Sequence, residues 1–231
     1  MWAKTPEQVL KSRRLRELAV LFALFVVPGL VSSATVTQVV GSLSALMALS
    51  LRNIAFALLI HYLLDLHAEQ HLLGPSGTAR PGTTAVLTWV VLLGASFTVS
   101  ALAALVNLSS PEAGSRAVIA SLQASAPPAV WAPVLILAMG SVGYVEELFF
   151  RGYLVGRFRQ VGATPAQAVL VSAVMFSLGH GYQGPAALVF SFIAGGLLGL
   201  LWLRRGHLAA FAGGHTVYNL TALVLAGGSV G

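Results

Sequence analysis

Long apolar runs, separated by short stretches rich in Gly, Pro, Ser and charge, leave this chain few ways to fold. A stretch of about 20 apolar residues matches the roughly 30 Å hydrocarbon core of a bilayer. There each backbone N–H and C=O must find its partner inside the segment, which selects the helix. Seven runs can be drawn, at about 18–31, 43–64, 85–106, 130–158, 165–179, 186–203 and 208–226. Composition agrees, because 57% of the residues are hydrophobic and only 9% charged, against about 25% charged in soluble domains. The expected fold is all-α, a polytopic transmembrane bundle of about seven helices.

Charge placement supplies the orientation. The net charge of +6 is carried by residues at the ends of the apolar runs, which is the mark of membrane topology rather than of nucleic-acid binding. With the N-terminus in the cytoplasm, ten of the thirteen Lys and Arg residues fall inside and only Arg116 outside; Arg52 and Arg151 are intramembrane. A bacterial inner membrane is the expected location. Residues 1–34 also have the basic start and short apolar core of a signal peptide, but the length of the basic arm favours a retained first helix. The expected organisation is a cytoplasmic arm over 1–17, membrane helices and linkers over 18–128, and a helical core over 129–231. The chain has no cysteine, so disulfides, thiolate catalysis and cysteine metal sites are excluded.

Within the fourth run stand Glu146, Glu147 and Arg151. Each central charge costs roughly 2.5–3.5 kcal/mol on insertion scales, so the three together cost on the order of 8–10 kcal/mol. Residues four apart share a helical face, which makes Glu147 and Arg151 an ion pair with the acid first, the better order. Glu146 points about 100° away. Its face carries Gly143 one turn back, where a missing side chain would let a substrate backbone approach. Glu146 is therefore read as the free carboxylate and the other two as its support. A purely structural trio, snorkelling at a membrane edge, is the plainer alternative.

Helix arithmetic gathers further polar groups. Gly162 to Pro165 mark a turn, with Thr164 as N-cap, so Glu146 and His180 lie about 17 residues to either side of it and reach similar depth. Beyond the break at Gly206, His215 and Asn219 share one face at the same level. Each could serve as interhelical glue. Three placements at one depth argue for a common site.

Other features carry less. Arg52 and Asn53 interrupt the second run and should face the bundle interior. His67 and His71 are four apart in the 65–84 loop, but without an intervening H-E-x-x-H acid they read as surface histidines. Gly195 and Gly199 form a close-packing pattern. No H-E-x-x-H or G-x-S-G occurs, and Ser141 stands one place too early for the latter. The single Asp, Asp65, allows no aspartyl dyad.

Glu146-Glu147-x-x-x-Arg151, Phe176-x-x-x-His180 and His215-x-x-x-Asn219, in that order, resemble the CAAX prenyl protease and bacteriocin-processing family of intramembrane proteases. The likeness covers about residues 130–226. It implies an intramembrane endopeptidase in which Glu146 and His180 activate water. His215 and Asn219 would hold the oxyanion, with Glu147, Arg151 and Phe176 as structural support. The expected partners are the lipid bilayer and a peptide or protein substrate, with no nucleic acid. The cofactor is either none or one divalent metal such as zinc, held if present by Glu146, His180 and His215; Asn219 as an oxyanion donor favours metal-free chemistry. A non-catalytic scaffold or a proton-coupled transporter of the same fold is the competing reading.

Overall fold

A computed structural model describes residues 6–31, 35–74, 80–108 and 114–227. Lys4, Glu112 and the Ser32-Ser33-Ala34 step lie outside the described residues. Among those described there are helices and turns and no strand.

The first apolar run belongs to α1 (Pro6–Phe25), which begins well before it, and to the short α2 (Val27–Val31) beyond a turn at Val26. Leu18, Leu21 and Val26 are buried in one apolar cluster with Phe149 and Phe150, so this segment is built into the core. Thr35 and Gln38 form a capping box on α3 (Val36–Val40). Ser42 caps α4 (Leu43–Leu66). A helical turn at Gln70–Leu73 precedes α5 (Pro81–Leu105), which opens with Pro at its first position, where the missing N–H costs nothing. The linker expected over 107–128 contains α6 (Ser115–Ser125), a short amphipathic helix that buries Val118 and Leu122.

The fourth run forms α7 (Pro128–Glu146), then a π-helical stretch Glu147–Leu154, then α8 (Val155–Gln160), one continuous rod of 33 residues. Thr164 and Gln167 make the capping box of α9 (Pro165–Gly179). A turn at Gly181–Gln183 leads to α10 (Pro185–Arg205). That helix ends on Gly206 at φ +50°, left-handed backbone that a glycine adopts without the Cβ penalty, and α11 (Leu208–Gly227) follows.

Five of these helices are long and apolar enough to cross a membrane: α4, α5, the α7–α8 rod, α10 and α11. Seven spans were expected. The first expected span is divided between α1 and α2, and α9 is 15 residues long, short of a full crossing. Outward-facing Leu51, Leu58, Phe97, Leu137 and Val224 are exposed, an apolar perimeter that suits lipid rather than water. α7 packs against α4 and α11, α9 against α10, and α11 against α5. The Gly195 and Gly199 positions face Ala173 and Val169, so that pattern seats α10 closely on α9.

Arg157, counted among the ten inside residues, is fully buried, paired with Glu17 (2.9 Å) and with Glu69. Two carboxylates brought in by α1 and by the turn after α4 compensate it, which is the condition for burying a guanidinium.

Candidate active site

The rod α7–α8 presents its charges where the helix changes gauge. Glu146 is the last residue of α7, and the π stretch begins at Glu147. In this wider coil Ser172 of α9 donates its hydroxyl to the Phe150 carbonyl (2.7 Å). Such stretches are rare, occur often at functional sites and have no periodicity signature in an apolar run.

Glu147 and Arg151 are both essentially inaccessible and paired, Nε to Oε2, at 3.2 Å. The remaining guanidinium nitrogens of Arg151 find no hydrogen-bond acceptor among the described residues. The Arg151 guanidinium carbon instead stands 4.6 Å from the centre of the Phe176 ring, a cation–π contact. Phe176 also meets the His180 ring edge-on at 4.5 Å between centroids.

His215 of α11 lies between the two acids. Its Nδ1 is 2.7 Å from Glu147 Oε1 and its Nε2 is 3.6 Å from Glu146 Oε2. His180, at the C-terminal cap of α9, donates Nδ1–H to the Phe176 carbonyl (2.8 Å) and turns Nε2 toward Glu146 Oε1 at 3.7 Å. Both imidazoles are thus fixed by their Nδ1 protons, the carboxylate and the carbonyl being acceptors. That leaves Nε2 of each directed at Glu146 from either side. Asn219 lines the same cavity and enters no hydrogen bond among the described residues, so its amide is free to donate.

The cavity is about 340 Å³ and takes in Glu146, His180, His215 and Asn219, with Phe150 and Phe176 behind them. Glu147 and Arg151 lie behind that lining and act on it through His215 and Phe176. All seven residues singled out from the sequence therefore occupy one neighbourhood.

Gly143 does not do what was expected of it. A Cβ there would meet Thr216 Oγ1 at 2.6 Å and Ala212 O at 3.0 Å, so this glycine admits the backbone of α11 and not a substrate. It is helix packing that brings His215 down onto Glu146. Arg52 also departs from expectation. Asn53 faces the interior and donates to Ser141 Oγ (3.2 Å), whereas Arg52 is exposed and borders the cavity. His67 pairs with Glu17 (3.2 Å), and His71 is exposed and apart from it.

Sequence reasoning passed over Tyr182 and Gln183, which line the cavity and are joined by a 2.8 Å hydrogen bond from Gln183 Nε2 to the Tyr182 hydroxyl. Their signal was present: two polar side chains in the glycine-flanked break between α9 and α10, directly after His180. His61 and Tyr144, joined at 2.8 Å, were likewise missed; together with Asn53 and Ser141 they fix α4 against α7.

The donor set of two imidazoles and a carboxylate suits a divalent metal, and Nδ1–H bound to carbonyl or carboxylate is the tautomer metal-ligating histidines adopt. Among the described residues no three His, Asp or Glu side chains are gathered as tightly as a ready-made metal site. The same arrangement suits a water molecule held between a carboxylate and two ring nitrogens.

No curated protein and no solved structure matches the chain. Residues 128–221 match the family model described as Type II CAAX prenyl endopeptidase Rce1-like. The segment that bears all three motifs and the whole of this polar cluster is thus the part of the chain that is similar to that family.

Proposed function

We propose that the chain is an intramembrane endopeptidase in which Glu146 is the general base. The observation that carries this reading is the placement of Glu146, which faces the cavity between two imidazoles while its neighbour Glu147 is neutralised by Arg151. Water held by Glu146 and His180 gives its proton to Glu146 as its oxygen bonds to the scissile carbonyl carbon. Glu146 then passes that proton to the departing amine as the C–N bond breaks. A base in direct reach of water contributes typically 10²–10⁴-fold.

The tetrahedral oxyanion needs donors aimed at where its charge develops. The Asn219 amide supplies one, and His215 supplies another when Nε2 is protonated. Each such donor is worth about 2.7–4 kcal/mol in a site of low dielectric. Glu147 holds His215 by Nδ1 and keeps the ring facing Glu146. Where a divalent ion is bound, Glu146, His180 and His215 would hold it, and it would supply a Lewis acid that makes water a better nucleophile. Metal-free chemistry remains the reading preferred here, because the free Asn219 amide is built to donate.

The distribution of Lys and Arg supports a cytoplasmic N-terminus and a bacterial inner membrane, with a peptide substrate entering from or near the bilayer. The deciding experiment is cleavage of peptides by the purified protein in liposomes, with and without a strong chelator, beside Glu146→Gln. Cleavage that resists the chelator and disappears in Glu146→Gln is expected. Loss with chelator and rescue by zinc would assign the metal mechanism. Cleavage unaffected by Glu146→Gln would end the assignment, and a folded wild-type protein that cleaves nothing would favour the scaffold or transporter.

A further inference from the structure

Helix α2 lies outside the matched segment, yet it borders the proposed site. Its origin is legible in the chain. Pro28 has no N–H to donate to the Leu24 carbonyl and its ring collides with that carbonyl, which breaks a helix within the preceding turn. The turn at Val26 follows, and beyond it the five residues of α2 pack on the end of α9 and on the Gly181–Gln183 turn. Phe25, the last residue of α1, is anchored among the rings of Phe56, Phe149 and Phe150, at 4.7, 4.9 and 5.5 Å between centroids. So α2 starts from a fixed point.

The contact between α2 and α9 is made backbone to backbone. A Cβ on Gly29 would overlap the Gly179 carbonyl oxygen outright and stand 2.8 Å from its carbon and 3.2 Å from Gly179 Cα. These are main-chain atoms, which cannot swing aside as the end of a side chain does. Beyond His180 the fit is looser: a Cβ on Gly181 would meet Gly29 O at 3.7 Å and Leu30 Cα at 3.8 Å, ordinary contact. Both chain neighbours of His180 therefore rest on α2. The ring between them donates Nδ1–H to the Phe176 carbonyl (2.8 Å) and turns Nε2 to Glu146 Oε1 at 3.7 Å. Helix α10 holds the same end of α9 through Ser177, whose hydroxyl donates to Leu188 O (2.7 Å).

We infer that Gly29 is a positioning residue for the proposed reaction: its missing side chain lets α2 close on the end of α9 and so aims His180 Nε2 at Glu146. The first two helices are then needed for turnover as well as for stability, although they lie outside the family-like segment. The inference rests on the proteolytic reading of the same cavity. A displacement of about 1 Å at a reacting group can cost on the order of 10²-fold in rate. One added methyl at this seam should therefore be felt in kcat.

The test compares full-length wild type in detergent with Gly29→Ala and with Gly94→Ala, a control on α5 where an added Cβ would meet nothing within 4 Å. Peptide cleavage gives kcat and KM, and NMR of isotope-labelled histidine reads the rings directly, the His180 signals being assigned by their loss in His180→Gln. Gly29→Ala is expected to lower kcat roughly 10–100-fold with KM nearly unchanged. It should also shift the His180 signals while those of His61 and His207 stay in place. Gly94→Ala should do neither. If Gly29→Ala does not fold, the same readouts on Pro28→Ala decide, since that change puts no new atom into the seam and removes the cause of the break. Unmoved His180 signals, or a normal kcat beside an active wild type, overturn the inference. So does a defect in which KM, the melting temperature and every histidine signal change together, because that is a general loss of structure. His180 signals that respond in a protein that cleaves nothing would end proteolysis and leave the seat of His180 standing; equal cleavage by wild type and Gly29→Ala would do the reverse.

Discussion

Two adjacent glutamates meet different fates because one imidazole lies between them. His215 touches Glu147 with Nδ1 and faces Glu146 with Nε2, so a single side chain couples an enclosed acid to an accessible one. Glu147 already has Arg151, and removing either member leaves the other charge buried and unpaired. Glu147→Ala and Arg151→Ala are each expected to lower stability by about 3–5 kcal/mol, seen as a large fall in the detergent melting temperature. Glu146→Gln is isosteric and borders the cavity, so it should melt like wild type while activity drops by about 10²–10⁴-fold. A Glu146→Gln protein that unfolds, or an Arg151→Ala protein of full stability, would reverse the roles of base and brace. Phe176 tests the link between them. Phe176→Leu removes the ring under Arg151 and against His180 while keeping the carbonyl that holds Nδ1. The expected cost is about 1–2 kcal/mol in stability with a reduced kcat, and an unchanged kcat would show that the ring does not position His180.

Helices are brought to the site by packing that leaves little space, and Gly143 is where this is tightest. Gly143→Val would push Thr216 and the Ala212 carbonyl away, moving α11 and His215 with them. Overpacking of this kind costs about 1–3 kcal/mol, and the larger expected effect is on kcat, through the His215 to Glu146 distance. A Gly143→Val enzyme of normal kcat would mean that α11 has slack. The same residue marks what the sequence could and could not tell. Apolar runs, Thr164 before Pro165 and the breaks at Gly184 and Gly206 announce helices and turns, because capping and hydrophobic length are local properties. Equal residue counts on either side of a hairpin place Glu146 opposite His180 for the same reason. Which neighbour a bare glycine admits is a tertiary fact, so the emptiness at Gly143 was ascribed to substrate when α11 fills it. The π stretch from Glu147 to Leu154 and the burial of Arg157 escaped for a related reason. The first has no periodicity of its own in a uniformly apolar run, and the second depends on Glu17 and Glu69, distant in sequence.

Among the described residues the ion pairs fall into two separate centres, and α1 joins them. The middle of α1 enters a largely buried cluster in which Arg14 binds Glu69 at 2.6 Å, while Glu17 meets Arg157, His67 and the Tyr153 hydroxyl. Its C-terminal end reaches Phe25, and with Gly29 of α2 it walls the cavity that holds Glu146. Loosening the first centre should therefore loosen the wall of the second. Acid is the natural means, because the cluster depends on ionised carboxylates. Burial alone would raise the Glu69 carboxyl, but hydrogen bonds and the charge of Arg157, then of Arg14, outweigh it and hold the group below its ordinary value. A carboxyl with a depressed folded pKa stabilises the fold fully above its unfolded value, about 4.3 for Glu. That contribution is lost as pH falls through the lower, folded value. The melting temperature in detergent should accordingly hold steady through neutral pH and fall in the acid range beneath the usual carboxylate pKa. Glu69→Gln should melt lower than wild type at pH 7 and show a shallower acid-side fall, since the proton it would have taken up has nowhere to bind. An acid limb of the same depth in both proteins would show that Glu69 does not hold α1 to the bundle, and the proposed link between the two centres would then fail with it.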